Sequence, residues 1–92
     1  MNELDGKVAL ITGATSGIGH AIATHFAGCG ARLLLTGRNV VAGVELAASL
    51  GARFLPGDIT DPELPDRLVA AAIGAYGRLD ILVNNAGVTF HG

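Results

Sequence analysis

Val8-Ala9-Leu10-Ile11, followed by Thr12-Gly13-Ala14-Thr15-Ser16-Gly17-Ile18-Gly19, is the stretch that decides the fold of this 92-residue chain. The apolar run shows no polar alternation, as expected of a strand covered on both faces, and it breaks at Gly13. Beyond the glycines, Ile18, Ile22, Phe26 and Cys29 recur at helical spacing on one predicted face, and Gly28 and Gly30 suit the end of a helix. In such a strand-turn-helix unit each glycine has its own task. Gly13 takes dihedral angles closed to other residues, Gly17 lets backbone approach a bound anion, and Gly19 lets the helix lie close to the sheet. The helix start at Gly17 and Ile18 offers unpaired N–H groups and a partial positive charge, to which Thr15 and Ser16 add hydroxyls. The competing reading is a turn with structural duties alone, and three glycines in one strand-to-helix turn are hard to explain that way.

Outward from this unit the same alternation continues. Leu33-Leu34-Leu35 reads as a second strand, and Val40, Val44 and Ala47 or Ala48 mark a helix that Asn39 caps and Gly51 closes, with Gly43 as a weak point. A third strand around Arg53-Phe54-Leu55 stops at Pro56, which predicts an edge position. Thr60-Asp61-Pro62-Glu63 has capping-box spacing, and Leu64, Leu68, Ala72 and Tyr76 continue down one helical face, although Pro65 leaves the first turn open. Ile81-Leu82-Val83 is the fourth strand, running into Asn84-Asn85-Ala86-Gly87. Right-handed crossovers then give an α/β, three-layer parallel sheet in the order 3-2-1-4, the first half of a Rossmann-type dinucleotide-binding fold plus one strand. With no linker, repeat or low-complexity tract, residues 1–92 form a single unit, read as a fragment truncated before a second half.

Composition narrows the function classes. A formal net charge of −2 excludes a basic nucleic-acid arm and an acidic disordered tail. Only 15% of residues are charged, too few to cover a free-standing domain comfortably, which fits a chain whose surface is partly covered by something else. Fourteen glycines and few aromatics suit tight turns around an aliphatic core. One cysteine, Cys29, excludes a disulfide framework and points to a reducing compartment. No apolar stretch approaches the roughly 20 residues that cross a bilayer, so a cytoplasmic protein is expected, with neither membrane nor nucleic acid as partner.

The turn spacing is Gly-x-x-x-Gly-x-Gly rather than the commoner Gly-x-Gly-x-x-Gly, and no Gly-Lys-Ser/Thr follows it. A triphosphate P-loop, and with it a kinase or ATPase, is excluded. In a dinucleotide fold an acidic residue about 20 positions beyond the turn holds the adenosine ribose 2′-hydroxyl, whereas Arg accepts a 2′-phosphate. Here Thr36-Gly37-Arg38 occupies that place. No carboxylate would repel a phosphate and the Arg38 guanidinium can bind one bidentately, so NADP(H) is favoured over NAD(H). The plain alternative is an Arg solvated at a strand end.

Thr12-Gly13-x-x-x-Gly17-Ile18-Gly19, then Asp58-Ile59 after the third strand and Asn84-Asn85-Ala86-Gly87 after the fourth, resembles the short-chain dehydrogenase/reductase family over about Asp5 to Thr89. The resemblance implies that Asp58 accepts a hydrogen bond from the adenine amino group beside Ile59. It also implies that Asn85, Ala86 and Gly87 pass the cofactor ribose while Asn84 pins the sheet. For Asp58 the alternative is a loop cap bonding its own backbone. The family's catalytic serine, Tyr-x-x-x-Lys pair and further asparagine all fall beyond Gly92. Tyr76 is the sole tyrosine, followed four residues on by Asp80, and Lys7 is the sole lysine, so Tyr76 reads as a helix-end packing residue and no catalytic residue is assigned.

His20, His25 and His91 lack a metal-ligand spacing and read as surface residues. The expected function is thus the cofactor-binding portion of an oxidoreductase interconverting a carbonyl and an alcohol. Its small-molecule substrate, and its oligomer contacts, belong to the complete form. The alternatives are a non-catalytic nucleotide-binding or regulatory module, or a non-functional truncated product.

Overall fold

The structure, a computed structural model, describes residues 3–85. Four parallel strands, β1 (Val8–Ile11), β2 (Arg32–Gly37), β3 (Arg53–Pro56) and β4 (Ile81–Val83), stand in the order β3-β2-β1-β4, as the alternation predicts. Three helices connect them: α1 (Gly17–Gly28), α2 (Val40–Leu50) and α3 (Leu64–Tyr76). Ala9 pairs with both Leu33 and Ile81, which makes β1 a central strand. All four of its residues are buried, so the unbroken apolar run does mark a strand covered on both faces. Ala9, Ile11, Leu33 and Leu35 pack with Ala23, Leu46 and Ala47 under α1 and α2, while Leu10 and Leu34 pack with Leu64, Leu68 and Ala72 under α3.

Edge placement of β3 accords with Pro56, which ends the strand opposite Gly37. The caps of α2 are as read: the Asn39 Oδ1 accepts from the Ala42 amide at 3.0 Å and Gly51 closes the helix at φ 65°. Tyr76 is a packing residue whose hydroxyl donates to the Leu33 carbonyl at 2.9 Å, and Arg53 lies 6.0 Å over its ring.

Three expectations need correcting. Ile18 is 69% exposed, so the buried face of α1 runs through Gly19 and Ala23 with Ile22 and Phe26 alongside. Val40 and Val44 are likewise exposed, and α2 meets the sheet through Gly43, Leu46 and Ala47. At Gly43 the Phe54 ring lies where a side chain would project, with its Cε1 2.2 Å from the position of a Cβ, so the residue that weakens the helix is the one that lets β3 dock on it. Thr60 does not begin α3. The helix starts at Leu64 with Pro65 in its first turn, and Thr60 instead donates from both its amide and its hydroxyl to Asp58 Oδ1, at 2.9 and 2.8 Å. Pro65 fits there because first-turn amides have no intrahelical partner to lose.

Candidate functional site

The carboxyl ends of the strands converge on the glycine-rich turn. Gly13 has φ 60°, the left-handed conformation expected of it, and its carbonyl lies only 2.0 Å from where a Gly19 Cβ would stand. Helix α1 therefore begins pressed against its own turn. Ser16 caps it: its Oγ accepts from the Gly19 amide at 3.3 Å and donates to the Gly13 carbonyl at 2.8 Å. The Asn85 side chain donates from β4's end to Ser16 Oγ and to the Gly13 carbonyl, at 3.0 and 3.1 Å. The Asn85 amide donates to Thr12 Oγ1 at 2.9 Å, and that hydroxyl lies 3.2 Å from Asn84 Oδ1. Two motifs some seventy residues apart in the sequence are thus tied into one frame. With its hydrogen on Gly13, the Ser16 hydroxyl holds the turn, and Thr15 brings a further hydroxyl to the same wall of the cleft.

Beside this frame lies a cleft of about 330 Å³ lined by Gly13, Thr15 and Ser16 on one wall. Thr36, Gly37, Arg38 and Asn39 at the end of β2 form a second wall, and Gly57 and Ile59 after β3 form the third. Of the predicted binding residues, the cleft brings together Gly13, Thr15, Ser16, Arg38 and Ile59. Gly17 opens α1, exposed, with nothing among the described residues within 4 Å of where its Cβ would be. Ile18 sits beside it on the outer side, while Gly19 and Asn85 stand behind the turn as its supports. Asp58 stands between the lining residues Gly57 and Ile59 but does not itself line the cleft, and its Oδ1 accepts from Thr60. Those bonds, the Thr60 amide first, hold its carboxyl below the usual range, and the Arg38 charge adds to the effect, which places the guanidinium and carboxylate within each other's field. Ala86 and Gly87 lie outside the described residues, as does His91.

The sequence reading missed Thr36, Gly37, Asn39 and Gly57 as lining residues. Their signal was position: Thr36, Gly37 and Asn39 flank Arg38, and Gly57 precedes Asp58. A cleft outside the carboxyl ends of parallel strands, opposite a helix N-terminus, is where such sheets bind nucleotides. His20 and His25 are exposed and apart from it, His25 standing 3.8 Å from the Cys29 sulfur at the far end of α1.

Residues 7–92 match the family described as short chain dehydrogenase. The chain belongs to that family. A D-threitol dehydrogenase of Mycolicibacterium smegmatis is 46% identical over 91 residues, covering 94% of this chain and 35% of that protein. An uncharacterised oxidoreductase of Mycobacterium tuberculosis is 44% identical, covering 97% and 36% respectively, and a mitochondrial borneol dehydrogenase of Lavandula x intermedia is 38% identical, covering 97% and 34%. This short-chain dehydrogenase sequence thus spans about a third of the length of the curated relatives it matches. Membership in the family implies a dinucleotide cofactor of the NAD(P) type. No described helix is long and apolar enough to cross a membrane.

Proposed function

We propose that this chain is the dinucleotide-binding portion of an oxidoreductase that interconverts a carbonyl and an alcohol, and that it takes NADP(H) in preference to NAD(H). The observation that carries the cofactor reading is Gly17. Gly13 is required by its φ and Gly19 by its contact with the Gly13 carbonyl, whereas nothing among the described residues makes a demand on Gly17. We read its bare backbone as room for an approaching anion, and the N–H groups opening α1 suit a diphosphate. The cofactor, when bound, supplies or accepts the hydride, and the residues of this cleft hold it.

In that role the turn Gly13 to Gly17 cradles the diphosphate, with the Thr15 hydroxyl as an added donor. Ile59 flanks the adenine ring and the second oxygen of Asp58 accepts from its amino group. Arg38 takes the ribose 2′-phosphate, a choice supported by the exposed guanidinium on the cleft wall and by the lack of any carboxylate between Thr36 and Asn39. Asn85 keeps the turn in place, and the family resemblance assigns Asn85, Ala86 and Gly87 to the cofactor ribose.

The test is a pair of titrations, NADPH and NADH, onto the protein and its Arg38→Asp variant. A charge-assisted bond to a phosphate contributes about 1.5–3 kcal/mol, so NADPH affinity should fall by about ten- to a hundredfold or more while NADH affinity changes little. Equal losses for both cofactors would remove the 2′-phosphate assignment. Absence of binding by the unsubstituted protein would remove the cofactor role.

A further inference from the structure

We draw no further inference here: the strongest candidate, the apolar groove between α3 and β4 lined by Leu64, Pro65, Leu68, Val69 and Leu82, is an unpartnered face, and nothing in the structure shows what covers it.

Discussion

Gly17 and Gly19 are two residues apart and stand in different surroundings, the first with nothing among the described residues within 4 Å of where its Cβ would be and the second pressed on the Gly13 carbonyl. A methyl at Gly19 would be driven into the Gly13 carbonyl, a backbone atom held in turn by Ser16 and Asn85, so it has nowhere to go. Overpacking of this kind costs about 1–3 kcal/mol, more than the helix propensity alanine would add. Gly19→Ala should therefore lower the melting temperature and weaken cofactor binding together. Gly17→Val should leave the melting temperature nearly unchanged, since its side chain projects into open space, yet abolish NADPH binding by blocking the diphosphate. Calorimetric melting and NADPH titration on both variants check this, and a Gly17→Val protein that binds normally would make the turn structural only. The sequence separated these roles in kind but not in weight, because a spacing pattern says where glycines stand and not what stands opposite them. Asp58 shows the same limit from the other side: its motif suggested a ligand contact, and its Oδ1 is taken by Thr60, a turn bond that spacing does not distinguish from a cap.

Among the elements, strands were more legible than helix faces, and for a physical reason. β1 and the Leu33–Leu35 run of β2 are buried on both sides, so these positions are all apolar and no face has to be chosen. A helix packed closely on a sheet meets it through its small residues. Looking for the largest apolar side chains therefore picked Ile18, Val40 and Val44 over Gly19, Ala23 and Gly43, which lie against the sheet or its neighbours, while Ala47 was read correctly. Helix ends were more readable where one side chain does the capping, as at Asn39, than at α3, where a proline and a chain of turn bonds share the task. Asn39 also lines the cleft, which gives its replacements opposite signatures. Asn39→Ala loses the bond to the Ala42 amide, worth about 1 kcal/mol, and should lower the melting temperature by about 4–8 °C. Asn39→Asp keeps an acceptor for that amide and should melt close to the unsubstituted protein, while its charge beside Arg38 weakens NADPH more than NADH. An Asn39→Asp protein that melts like Asn39→Ala would show that the cap is not what holds α2.

On the scale of the whole molecule, the weakest seam is the one between β1 and the three-residue β4, and it is fastened at both ends by side chains. At the cleft end, Thr12, Asn84 and Asn85 join the strand to the turn. At the opposite end Asp80 Oδ2 accepts from the Val8 amide at 2.9 Å while the Asp80 amide donates to the Val8 carbonyl, and Arg78 grips both carboxylate oxygens at 2.9 and 2.7 Å. The Arg78 bonds first, and then the Val8 amide, hold the Asp80 carboxyl below its ordinary value, against a smaller opposing effect of desolvation. A carboxyl with a lowered folded-state pKa binds its proton more readily in the unfolded chain. Its stabilisation is therefore complete above about pH 5 and is lost as the pH falls below about 4 and through the folded value. Asp58 is lowered too, so acid sensitivity has more than one source and the useful quantity is a difference. Melting temperatures of the protein and of Asp80→Asn, measured from about pH 2 to 8, should differ at neutral pH and converge as the pH drops below about 4, because the amide lacks the charge that Arg78 and Val8 recognise. A gap that persists unchanged into strong acid would mean that Asp80 fastens the seam by shape rather than by charge, and that the acid limit of this fold is set elsewhere.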